Sequence, residues 1–137
     1  MKIGKFDIEC FFSTKALDDI EKEIGGTVET LADWLTDESI TTGTRLKRTT
    51  DIIKHLANGA VLKHNQEVKR GLIPNGKMQE PYDDDFFAEI IGLTQLNDAI
   101  TCVFEAIHEG SDVIIPDGMH AAEEDEVLAE IEEIKNQ

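Results

Sequence analysis

The chain has 137 residues, with 13 Lys and Arg against 29 Asp and Glu, a net charge of −16. That length fits one domain able to bury a core without disulfide or metal staples. The charge argues against general nucleic-acid binding, which draws its affinity from Lys and Arg neutralising phosphates. An acidic surface of this kind either steers toward basic partners or simply keeps the chain from aggregating, and composition alone leaves both open.

No window reaches the roughly 18 uninterrupted apolar residues of a membrane span. The opening Met1–Lys5 run turns acidic by Asp7 and Glu9 and lacks the apolar centre of a signal peptide. The expectation is a cytoplasmic protein. Cys10 and Cys102 are far apart and both lie in apolar runs, which reads as two buried free thiols with no zinc site.

Ile3, Phe6, Ile8 and the Phe11-Phe12 pair fit a short N-terminal strand or hairpin, with Gly4 as a bend. Ser13 or Thr14 caps a helix whose face carries Leu17, Ile20 and Ile24, and Gly25-Gly26 ends it. A short helix from Thr27 carries Val28, Leu31, Ala32, Trp34 and Leu35, and 36–43 is a polar loop. A longer helix is predicted over 44–69, with Ile53, Leu56, Ala57, Ala60, Val61, His64 and Val68 along one side. Gly59 is a weak point within it, costing about 1 kcal/mol against Ala, and a candidate break.

The Pro74-Asn75-Gly76 and Pro81 signals mark 71–81 as an irregular connection. Asp83-Asp84-Asp85 opens the next helix, where carboxylates suit the positive end of the dipole, and Phe86, Phe87, Ile90 and Ile91 follow. Leu93, Leu96, Ile100, Val103 and Ile107 alternate steps of three and four, the cleanest amphipathic stripe, which Gly110 closes. Val113–Ile115 reads as a short extended piece and 121–135 as a strongly acidic helix with a narrow seam of Val127, Leu128, Ile131 and Ile134. The fold class is therefore mainly α, a small helical domain with a short N-terminal strand or hairpin. The division is a core over 1–118 and an acidic C-terminal helix over 119–137, either docked or mobile. Charge divides unevenly too: 45–69 gathers Lys47, Arg48, Lys54 and Lys63 against Asp51 and Glu67, whereas Lys135 stands alone in the C-terminal third.

The candidate chemistry is thin. Gly71 to Lys77 matches the GxxxxGK spacing of a phosphate-binding loop, but Met78 stands where that loop needs Ser or Thr, Pro74 removes a backbone donor, and the segment follows a helix. No two of His55, His64, His108 and His120 have the i, i+4 spacing of paired ligands on one helix face, and Asp83–Asp85 lacks the alternate spacing of a calcium loop. No catalytic, cofactor or metal residues are assigned, and a small enzyme with a scattered site is the least favoured class. The candidate partner-binding residues are Val127, Ile131 and Ile134 with Glu130 and Glu133 on the last helix. Trp34, Leu35 and the Phe86-Phe87 pair exceed what their short helices obviously bury, which predicts a homo-oligomer.

Three stretches carry a resemblance: Phe6-Asp7-Ile8-Glu9, then Ala16-Leu17-Asp18-Asp19-Ile20-Glu21 with Gly25, then Asp51 to Ala60. Their layout resembles the small tail assembly chaperones of long-tailed bacteriophages and prophages over about residues 1–110, in pattern and without a strict motif. The resemblance implies a non-enzymatic protein of the bacterial cytoplasm that binds the tape measure protein and recruits tail tube subunits. The competing class is an acidic inhibitor that mimics DNA; the basic segment 45–69 counts against it, since a mimic gains from one continuous negative face.

Overall fold

In the computed structural model, residues 2–3 and 6–111 are described. Two short strands come first, β1 (Lys2–Ile3) and β2 (Phe6–Asp7), paired antiparallel with Lys2 opposite Asp7 and Ile3 opposite Phe6. Five α-helices follow among the described residues: α1 (Thr14–Ile24), α2 (Leu31–Leu35), α3 (Thr42–Lys69), α4 (Phe86–Ile90) and α5 (Leu96–Gly110). Single 3-10 turns, Val28–Thr30 and Leu93–Gln95, lead into α2 and α5. The expected mainly α class is what the molecule adopts. None of these helices is long and apolar enough to cross a membrane.

The helix ends obey local chemistry. Ser13 accepts a hydrogen bond from Ala16 N at 3.0 Å, so the hydroxyl satisfies a donor that has no partner within α1. Gly25 ends α1 at φ 72°, and Gly71 ends α3 at φ 75°, a left-handed region that side chains resist. At α3 the bonds Gly71 N to Val68 O (3.1 Å) and Leu72 N to Glu67 O (2.9 Å) complete a Schellman motif. Thr41 caps its start by accepting from Thr44 N at 3.1 Å, so α3 begins slightly before the predicted 44.

Helix α3, 28 residues long, is the spine: α1, α2, α4 and α5 all pack against it. Ile52, Ile53, Leu56 and Ala57 are fully buried against Ile20, Leu31, Leu35, Phe87, Ile100, Val103 and Ile107 in one cluster. Burying a side chain of this size contributes about 1.5–3 kcal/mol, which is why the core wins over the self-repulsion of an acidic chain. Thr49 and Thr50 also lie inside; their hydroxyls donate to Arg45 O (2.8 Å) and Lys47 O (3.0 Å) of their own helix, so burial leaves no polar atom unpaired.

Three expectations need correction. Gly59 does not break α3; the helix runs through it, and the N-terminal segment crosses the helix there. A Cβ on Gly59 would lie 2.2 Å from the Phe11 carbonyl oxygen, while Phe11 N donates to Leu56 O at 2.9 Å. Leu93 leaves the apolar stripe: it sits on the 3-10 turn before α5 and is 61% exposed, because the turn takes it out of the helical phase of Leu96 onward. The large side chains of α2 and α4 are mostly used within the chain. Leu35 and Phe87 are buried, Trp34 lies under Arg48, and Phe86 packs on Phe6, Tyr82 and Phe87 at centroid distances of 5.0–5.3 Å. Trp34 and Phe86 themselves remain half-buried.

Candidate interaction surfaces

The cations of α3 are the first determinant of the surface. Arg45 Nε donates to Leu35 O at 3.1 Å and its Nη2 to Asp37 O at 3.1 Å. Arg48 donates to Trp34 O, with its guanidinium 4.6 Å from the Trp34 ring centre. Both arginines thus meet carbonyls at or just beyond the C-terminal end of α2, where positive charge is favoured. Lys47 pairs with Asp51 (2.6 Å), Lys63 with Glu67 (2.8 Å) and Lys54 with Asp84 (2.7 Å). The basic stretch read in the sequence is therefore not an open basic face; these five residues are held by groups of the same chain.

The Asp83–Asp85 run divides its work. Asp83 Oδ1 accepts from Asp85 N (3.0 Å) and Phe86 N (2.9 Å) at the entry to α4. Asp84 reaches across to Lys54, whose ammonium holds its carboxyl below the ordinary carboxylate range. No cluster of three or more His, Cys, Asp or Glu side chains placed to hold a metal occurs among the described residues.

The GxxxxGK segment is a helix cap followed by a turn. Gly71 closes α3, Gly76 N bonds Ile73 O at 3.0 Å, and Asn75 takes the positive φ of 60° that a type II turn requires after Pro74. Lys77 follows outside any helix or strand, and no helix begins there. Cys10 and Cys102 are free and half-buried; burial pushes the Cys10 thiol up to about 11 and raises that of Cys102. Such thiols carry little thiolate and make poor nucleophiles.

The arrangement that sequence reasoning missed lies along α3. Asn65 Nδ2 donates to Gln79 O at 2.9 Å while its Oδ1 accepts from Gln79 N at 2.8 Å. One stretch earlier, Asn58 Nδ2 donates to Tyr82 O at 3.1 Å and its Oδ1 accepts from Tyr82 N at 2.7 Å. His64 Nε2 donates to Lys77 O at 2.8 Å. The two amides sit seven residues apart, about 10.5 Å along a helix at 1.5 Å per residue. Gln79 and Tyr82 are three residues apart, about 10 Å in extended chain. The matched lengths let one helix read the backbone of an antiparallel extended strap, residues 77–82. The available signal was a pair of Asn two turns apart inside a helix, where Asn has no propensity advantage.

Two open clefts border the strap. One, of about 330 Å³, is lined by Asp7, Glu9, Ala60, Val61, His64, Gln79 and Tyr82. The other, of about 380 Å³, lies between α1, α3 and Pro81-Tyr82, with Lys15, Asp19, Lys54 and Asp84 in its lining. The sequence candidates for partner contact, Val127, Glu130, Ile131, Glu133 and Ile134, lie outside the described residues, as do Val113–Ile115 and the proposed division at 118. Comparison with protein-family models, curated proteins and solved structures finds no match.

Proposed function

We propose that this chain is a non-enzymatic binding protein of the phage or prophage tail assembly chaperone type, working in the bacterial cytoplasm. Its partners are the tape measure protein and tail tube subunits. The observation that carries this reading is electrostatic. With a net charge of −16 and Arg45, Lys47, Arg48, Lys54 and Lys63 of α3 engaged within the chain, what is offered to a partner is predominantly carboxylate. Such a surface attracts basic or amphipathic helical segments and keeps a complex in solution. In this reading Val127, Ile131 and Ile134 give apolar contact, while Glu130 and Glu133 steer the partner.

The test is co-expression of the tape measure protein with the full chain and with a form ending at His120. The full chain keeps the partner in solution and the shortened form does so less well. Equal rescue removes the last helix from the mechanism; no rescue by either removes the chaperone reading. The internal pairing of α3's cations also favours a second reading, an acidic DNA mimic, because it dismantles the basic face that opposed it. Recovery of a nuclease or repair enzyme with the tagged chain, in place of tail proteins, selects that reading.

A further inference from the structure

The strap's contact with α3 has an unusual division of labour. Five hydrogen bonds of 2.7–3.1 Å hold it, and every one ends on a backbone atom of Lys77, Gln79 or Tyr82. Meanwhile the residues Lys77, Met78, Gln79, Glu80 and Pro81 are all exposed. Helix α3 therefore reads peptide backbone there, and any extended segment can present the same groups in the same register. Asn65 is 7% exposed, so its amide, if emptied, is a buried polar group in need of a partner. Tyr82 alone is tied by its side chain, packed at 5.0 Å from both Phe86 and Phe87.

The strap also underfills its place, since an open cleft lies on each side of it. Among the described residues, the cleft holding Gln79 is walled by Asp7 and Glu9, with His64 the one basic residue in its lining. A Lys or Arg side chain at the position of Gln79 would enter a cleft that the carboxylates of Asp7 and Glu9 line. Residues 70–85 form no helix or strand, and the Schellman glycine Gly71 and the Pro74-Asn75 turn separate the strap from α3.

We propose that the α3 face bearing Asn58, His64 and Asn65 is a binding site for an extended basic peptide segment of a partner protein, which residues 77–82 occupy in cis. The preferred occupant is an extended segment with Arg or Lys at the place of Gln79 and an aromatic at the place of Tyr82. Its residues differ from those assigned to the last helix under the proposed function; co-expression with a tail protein tests that contact and peptide binding tests this one.

Two experiments decide it. A labelled peptide of the sequence 77–82, and the same peptide carrying Gln79→Arg, are titrated by fluorescence polarisation against the full chain and against its Gln79→Pro variant. Proline at 79 removes the N–H that Asn65 accepts and fits extended backbone. A tethered strap competes at an effective concentration near the millimolar range, so its release strengthens peptide binding by about tenfold or more. The arginine peptide binds tighter than the parent peptide, and adding Asn65→Ala to the Gln79→Pro chain abolishes both. Equal binding by the two chains, indifference to Asn65→Ala, or no binding by a variant that keeps its helical circular dichroism overturns the proposal. Hydrogen exchange on the unaltered chain tests the opening of the strap directly, whatever the variant does. The Gln79 and Tyr82 amides exchange together through a local opening, well ahead of the Ile52 and Leu56 amides. Exchange only with the core overturns the proposal, because a strap that never lifts cannot yield its site.

Discussion

Replacing Gly59 with alanine sets two rules against each other, and the structure says which prevails. On helix propensity alone the change stabilises by about 1 kcal/mol. The new Cβ, however, stands 2.2 Å from the Phe11 carbonyl oxygen and 3.3 Å from Ser13 Oγ. Relief requires the backbone at Phe11 to retreat by about 1 Å to reach an ordinary contact near 3.3 Å. That retreat stretches the Phe11 N to Leu56 O bond of 2.9 Å, worth about 1 kcal/mol. It also disturbs Phe12, which is 8% exposed, and the Ser13 cap; overpacking of this kind costs about 1–3 kcal/mol. The net expectation is a loss of roughly 1–3 kcal/mol once the propensity gain is deducted. The control is Gly43→Ala in the same helix, where the Cβ meets only Thr41 Oγ1 at 4.0 Å. It should stabilise by about 0.4–1 kcal/mol. Urea denaturation followed by circular dichroism measures both changes. Opposite signs support the close crossing, and a neutral or stabilising Gly59→Ala refutes it.

Adding ATP with magnesium, or a chelator, leaves the melting temperature unchanged, because Gly71 to Lys77 spends its donors on a helix cap and a turn; a rise with ATP revives the phosphate loop. The lowered carboxyls of Asp84 and Asp37 contribute stability that is fully present above their ordinary value of 3.8 and lost as pH falls through the lowered one. Accordingly Lys54→Met should return the Asp84 titration, followed by carbon-detected NMR, toward the ordinary range, and an unmoved midpoint rejects the pairing. In a Cys102→Ser chain, the Cys10 thiol at about 11 should react with iodoacetamide roughly a hundredfold more slowly than an unhindered thiol at neutral pH, with the rate still rising above pH 9. Rapid labelling at pH 7 contradicts its burial.

The elements read most directly from sequence are those set by local chemistry. Ser13, Gly25 and the steps linking Leu96, Ile100, Val103 and Ile107 act within a turn or two, so their pattern is written in adjacent residues. What stayed hidden depends on distant chain. Gly59 looks like a flaw until Phe11 is laid across it, and Thr49 and Thr50 look like surface until their hydroxyls turn back on their own helix. Asn58 and Asn65 resemble any polar residues of an exposed face, because the backbone they read lies 24 and 14 residues further on. The basic stretch misled for the same reason. Charge counts reveal sign, but only the fold shows that Arg45 and Arg48 answer the end of α2.

The central position of α3 decides what happens if the chain is cut. Its buried partners come from both sides in sequence, Ile3 through Leu35 before it and Phe87 through Ile107 after it, and all join one cluster. A nick in the turn at 73–76 would therefore leave two pieces, each holding an incomplete set of the same interior. Neither piece has reason to fold alone, and each carries the surface the other lacks. The protein is in this sense divisible in sequence and indivisible in structure, which makes that turn the natural point for a split reporter whose halves regain order only on meeting.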